Sequence, residues 1–282
     1  MKKETVLLYS GGTDSTLTAC LAADRFDKVN LLTYKRFGIF SVTNPIVNVR
    51  ILQDKYGKDR FPHAIIPVDK IFKMVSYERF LSNAARHGFF LLSTCGLCKL
   101  AMHVRTIVYC IDNGIHHVCD GANQGMHLFP DQMDSVIRET REMYARFGIE
   151  YSNPVFDFEG PQDIDFADRL HFERIPGLGA EKDPDYLEKK EKTTGYKLYK
   201  LGIMPSENVK GTPQDRRMQP RCFQFILFNI WLHWYYLADH SYEEYEKDTL
   251  RFFKEKIGTF AGLLDEYARL GRKSRFSRNI EY

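Results

Sequence analysis

The chain has 282 residues, 44% hydrophobic and 27% charged, with a formal charge of +3, the composition of a globular protein with one sizeable core or two modest ones. It contains no run of about 18 apolar residues, and Met1-Lys2-Lys3-Glu4 leads into a strand-like run rather than a signal peptide, so a cytoplasmic protein with no membrane partner is expected. The small positive charge falls short of a dedicated nucleic-acid-binding domain, and six cysteines in such a chain read as core, metal or redox groups rather than a disulfide framework.

In chain order, Thr5 to Tyr9 is a short β-rich apolar run ended by a glycine pair, and Ser15 to Phe26 carries helical spacing. Lys28 to Tyr34 reads as a second strand. Thr43-Asn44-Pro45 opens a helix reaching about Tyr56, with a capping side chain before the proline. His63 to Asp69 reads as a third strand, Cys95 to Asn113 as a helix and His116 to Asp120 as a fourth strand. Asp131 to Phe147 is an amphipathic helix, and Ile149 to Phe156 adds a fifth strand. Strands alternating with helices predict an α/β fold, a doubly wound parallel sheet. The alternation then stops. Residues 160–215 hold much of the Pro and Gly, with a charged stretch from Glu181 to Lys200 that reads as a solvated helix or loop. Arg221 to Tyr236 is aromatic and apolar on nearly all sides, and Tyr242 to Arg269 is a long amphipathic helix. The division is therefore an α/β domain over 1–155 and a mostly helical C-terminal region over 156–282.

The first glycine loop carries chemistry. Gly11 and Gly12 let the backbone approach a ligand with its N–H groups converging, Ser10, Thr13 and Ser15 add hydroxyls, and the next helix points its positive end at the same spot. A phosphate suits that concavity. Asp14 beside it implies a bridging Mg2+ or a role in orienting the loop. The run Ser10-Gly11-Gly12-Thr13-Asp14-Ser15 after a first strand resembles the Ser-Gly-Gly-x-Asp-Ser loop of the PP-loop ATP pyrophosphatases, a superfamily with a HUP-like doubly wound sheet. The resemblance implies ATP binding, cleavage between the α- and β-phosphates, and adenylation of an acceptor oxygen that nitrogen or sulfur then displaces. It also implies that Leu32, Thr33 and Tyr34 lie near adenine, and that Gly121 and Asn123 of Asp120-Gly121-Ala122-Asn123 approach the α-phosphate. An Asp found three residues after that Asn in many relatives is replaced by Met126, which argues against metal at the second loop.

Cys95-Gly96-Leu97-Cys98 points two thiols at one centre from a helix N-terminus, which favours thiolates, and Cys222 lies 124 residues further on (222 minus 98). A thioredoxin-like role would need the motif after the first strand, where the glycine loop stands. A metal is preferred. The three cysteines resemble the iron-sulfur tRNA thiolation branch of the superfamily, which implies a [4Fe-4S] cluster on Cys95, Cys98 and Cys222 with one iron open for a sulfur nucleophile. The cysteine-rich zinc modules or basic extensions usual there are absent from this sequence. The rival is Zn2+ on the same cysteines with His103 as fourth ligand. Cys20, Cys110 and Cys119 read as core. Arg216, Arg217 and Arg221 could clamp an anion, with Lys99, Arg105 and the Arg272 to Arg278 tail as further basic candidates. One of His116 and His117 is expected to face the core.

These features favour an adenylating sulfur transferase taking ATP, a sulfur donor and, as acceptor, tRNA or a small molecule. The alternatives are an amidating ligase with structural zinc and a nucleotide-binding module. The sequence leaves oligomeric state open, a homodimer included.

Overall fold

The computed structural model describes residues 3–78, 80–158, 190–209 and 212–281. Its centre is β1 (Glu4–Leu8), buried from Thr5 onward, beside β2 (Lys28–Lys35), buried from Val29 to Tyr34. Such unbroken buried runs belong to strands covered on both faces. With β4 (His63–Pro67), β5 (His117–Asp120) and β6 (Glu150–Ser152) they form a sheet of order β4-β2-β1-β5-β6, every pair parallel. The order reverses between β1 and β5. The chain is thus the doubly wound α/β protein its sequence implies, and its topological switch point lies where the β1 and β5 loops emerge.

Helices α1 (Thr13–Ala23) and α2 (Ile46–Tyr56) cover one face through Leu17, Val49 and Leu52. The other face takes α3 (Asp69–Ser76), α5 (Thr94–Asn113) and α6 (Asp134–Ala145). Helix α5 stops at Gly114, whose left-handed conformation (φ 64°) suits a residue without a Cβ. Between α3 and α5 stands α4 (Phe80–His87). Neither α3 nor α4 was legible in the sequence, being only eight residues each.

The C-terminal region contributes to both faces. Helix α7 (Thr194–Lys200) buries Thr194, Gly195 and Leu198 with α1 while Lys197 and Lys200 stay exposed, so this end of the charged stretch is a helix with one solvated face; residues 181–189 of that stretch lie outside the described residues. A short helix α8 (Pro213–Met218) leads to β7 (Arg221–Cys222), which pairs antiparallel with β3 (Ile39–Phe40), Ile39 opposite Cys222. Helix α9 (Gln224–Ile230) runs into a π-helical turn, Trp231–Tyr236. The long α10 (Tyr242–Leu270) begins at a capping box between Ser241 and Glu244 and buries Tyr245, Phe252, Ile257, Phe260, Leu264 and Tyr267 along one side, against α5 and α6.

Three expectations change. Strand β6 ends at Ser152, before Asn153-Pro154, instead of reaching Phe156. Neither His116 nor His117 is core: His116 is exposed, and His117 pairs with Glu150 at 3.2 Å on the sheet's lower edge. Arg105 is buried against the chain end, donating to the Glu281 carbonyl at 3.3 Å, and offers nothing to a phosphate. The 272–278 tail is anchored by buried Ser274 and Phe276 and keeps Arg272, Lys273, Arg275 and Arg278 exposed.

Candidate functional site

All five parallel strands end on one edge, and the chemistry gathers there. Leaving β1, the backbone turns through Ser10 and Gly11 (φ 78°) into α1. Serine hydroxyls set the turn: Ser10 Oγ accepts from the Gly12 N–H at 3.3 Å and meets Ser15 Oγ at 3.1 Å, and Ser15 donates to the Gly12 carbonyl. From α2, Asn48 donates to the Gly11 carbonyl at 2.7 Å. A Cβ on Gly11 would stand 2.2 Å from the Met218 carbonyl oxygen and 2.8 Å from Pro45 Cα, so the C-terminal region and α2 close on this residue. Gly12 is less constrained; its Cβ would meet the Gln219 side-chain end at 3.0 Å. Thr13 and Ser15 are buried in the first turn of α1, and Asp14 accepts from Thr194 of α7 at 2.7 Å. That last contact joins the loop to the C-terminal region.

The second loop leaves β5 directly beside the first. A Cβ on Gly121 would lie 2.6 Å from the Ser15 nitrogen, so a glycine there lets the two loops touch. Asn123 organises this loop instead of facing open space: its amide donates to the Phe158 carbonyl at 2.7 Å and its oxygen accepts from the Gly125 N–H. Thr33 donates to the Tyr9 carbonyl at 2.8 Å and meets His63 at 2.9 Å, while the Tyr34 hydroxyl reaches Thr106 at 2.6 Å.

A cavity of about 170 Å3 is lined by Ser10, Thr33, Tyr34, Ile39, Lys99, Arg221 and Cys222. That is below the roughly 300 Å3 at which pockets enclose whole drug-sized ligands.

Cys95 and Cys98 occupy the first turn of α5, and Gly96 between them lets α10 pack close, its Cβ position lying 2.4 Å from the Phe253 ring. Strand β7 brings Cys222 to the same place. What joins them is Arg36, at the end of β2, which the sequence did not single out. It is only 4% exposed, donates from Nε to Cys98 Sγ at 2.8 Å and from a terminal nitrogen to Cys222 Sγ at 3.5 Å, and lies 4.0 Å from the centre of the Phe72 ring. Among the described residues it meets no carboxylate. A buried guanidinium needs its donors satisfied, and the two thiols and the Phe37 carbonyl accept from it. Burial pushes the Cys98 thiol up to about 11, with Arg36 opposing; burial, then Asp131, pushes Cys95 higher.

Among the described residues no three His, Cys, Asp or Glu side chains stand at metal-ligating spacing. Cys95, Cys98 and Cys222 nonetheless lie around one buried cation, Arg36, which hydrogen-bonds to Cys98 and Cys222. His103 does not join them. Its Nδ1 meets the Tyr144 hydroxyl at 2.9 Å and its Nε2 faces Asp120 at 4.0 Å.

Beneath the cavity, Lys99 pairs with the wholly buried Asp120 at 2.9 Å. Burial opposes both charges, but mutual attraction wins: the Lys99 ammonium is held above its ordinary range and Asp120 falls to about 2, with His103 also helping. Asp131 goes the other way, burial raising it. Burial and then Lys99 lower His103 to about 3. The unfolded chain therefore binds the His103 proton from about pH 6.5 downward while the folded one does not, so stability falls as pH drops from there toward 3, by up to about 1.4 kcal/mol per unit. Asp120 adds its own loss only below about pH 4. Thermal unfolding between pH 6.5 and 4 should show this decline, and His103→Gln should flatten it; His63 and His233, also lowered by burial, leave a remainder, which the raised Asp131 opposes.

No family model matches the sequence, and no curated protein matches it. Among solved structures, one described as a predicted subunit of tRNA methyltransferase from Methanocaldococcus jannaschii is 18% identical, with 78% of this chain and 96% of that chain covered, at a TM-score of 0.38. A likeness that distant carries no weight for the site or the reaction.

Proposed function

We propose that the chain is an ATP-dependent adenylating sulfur transferase that releases AMP and pyrophosphate. The observation that carries the reading is a cavity lined both by Ser10 of the glycine loop and by Cys222, so that a nucleotide and a sulfur-handling group would share one space. In this reading the base lies by Thr33 and Tyr34. The phosphates lie over the N–H groups of residues 11–15, with Mg2+ completing the charge balance and Asp14 orienting the loop.

The acceptor's carbonyl oxygen attacks the α-phosphorus, the bond to the bridging oxygen breaks, and pyrophosphate leaves with the electron pair. A sulfur nucleophile then attacks the activated carbon, and AMP departs with the former carbonyl oxygen. A cluster held by Cys95, Cys98 and Cys222 would supply that nucleophile when bound. In this reading Lys99, which lines the cavity, would meet negative charge developing on the α-phosphate. Arg36 would hold the thiolates in place. The acceptor is a carbonyl-bearing base of tRNA ahead of a free small molecule, a choice supported by the exposed Arg216, Arg217 and Arg221 near the rim.

Anaerobically purified protein should contain iron and sulfide and show broad visible absorbance, lost in Cys95→Ala, Cys98→Ala or Cys222→Ala and kept in Cys20→Ala. Colourless protein with one equivalent of zinc would transfer support to the amidating ligase.

A further inference from the structure

We infer that the solvent-facing side of the helical segment from Gln224 to Tyr236 is the interface between two copies of this chain. The sequence from Phe223 to Ala238 contains no Asp, Glu, Lys or Arg. One side of the segment is used within the protomer: Phe228, Trp231, Leu232 and Tyr236 are buried, with Trp231 and Tyr236 packed on the Phe90 ring. The other side carries Phe223, Ile226, Leu227, Ile230 and Trp234, at spacing i, i+3, i+4, i+7 and i+11, each between 43% and 62% exposed. The Tyr235 and Phe89 rings, 5.3 Å apart, extend it sideways onto the segment before α5. A helix apolar all round belongs in an interior, and here half of it faces water.

Area, composition and charge select a second copy as the cover. With roughly 150–250 Å2 for a whole aromatic side chain, these half-exposed residues present on the order of 700 Å2, close to the ~800 Å2 per partner of a standard specific interface. The patch is rich in aromatics and devoid of charge, as homodimer interface cores are. Across a two-fold axis the same surface must meet itself, and an uncharged stripe does so without like-charge contact. A lipid surface is disfavoured because the segment ends on exposed Asp239, Glu243 and Glu244 rather than on basic residues. Cys222 immediately precedes the stripe, which sets the dimer axis beside the rim of the cavity.

Sedimentation velocity on the full chain at micromolar concentration should give one species of twice the chain mass. The double variant Ile226→Glu, Ile230→Glu should sediment as a monomer with an unchanged far-ultraviolet circular dichroism spectrum, because both positions face solvent in the protomer. Wild-type protein that stays monomeric overturns the inference without any variant. So does a dimer indifferent to both substitutions, or monomeric wild-type protein that floats with zwitterionic phosphatidylcholine vesicles, which would assign the stripe to lipid.

Discussion

Lys99→Met is expected to destabilise the protein by about 3–5 kcal/mol, the range for removing one partner of a buried ion pair. Asp120 is fully buried, and without Lys99 its carboxylate would keep the Tyr151 hydroxyl at 2.8 Å, the Asn153 amide at 2.6 Å and the Ala122 N–H at 3.0 Å. Those donors satisfy its oxygens but leave its charge without a counter-charge. Methionine matches the lysine stem in volume, so the loss reports electrostatics rather than a cavity. The companion Lys99→Met, Asp120→Asn should recover most of the stability, because both charges then go together. Urea unfolding measures both. A single-variant loss below about 1 kcal/mol, or a double variant equal to the sum of the singles, would show that the pair is not coupled as described.

Gly11→Ala should be the most damaging change in the glycine loop, costing about 2–4 kcal/mol and removing nucleotide binding. The left-handed backbone adds about 1–2 kcal/mol for any residue with a Cβ. The rest comes from overpacking against the Met218 carbonyl and the Pro45 backbone, which cannot rotate away as a side chain does. Gly12→Ala should cost under about 1 kcal/mol, since φ there is −69° and the nearest obstacle is the flexible end of Gln219. The sequence treats the two glycines alike; the packing of α8 on the loop separates them. Thermal unfolding together with nucleotide titration of both variants tests this, and the reverse ranking would contradict it.

The parallel sheet was readable because β1 and β2 are short apolar runs punctuated by glycine and separated by helical spacing, and the long α5 and α10 announce themselves by periodicity and caps. The loop at residues 10–15 was readable for the same reason that it can hold a phosphate: its glycines and hydroxyls are adjacent in sequence. The two-residue strands β3 and β7 were not, because their pairing spans more than 180 residues and neither carries local alternation. Arg36 was missed on the same ground. Its meaning lies in the cysteines of α5 and β7, both distant in sequence, and an arginine at a strand end gives no local sign that it will be buried. His103 illustrates the converse. Spacing from Cys98 made it a candidate ligand, but one helical turn and more along α5 carries it to Tyr144 and Asp120, away from the thiols.

Nucleotide labelled at the α-phosphate distinguishes cleavage of ATP between its α- and β-phosphates, the reaction proposed for this site, from every other outcome. With Mg2+, acceptor RNA and a sulfur donor present, the label should appear in AMP with matching release of pyrophosphate. That release should fall at least tenfold in Asp14→Asn, yet persist in Cys222→Ala, where adenylation is intact and only sulfur delivery is lost. Label recovered in ADP, or ATP bound and returned unchanged under every acceptor condition, would contradict the account.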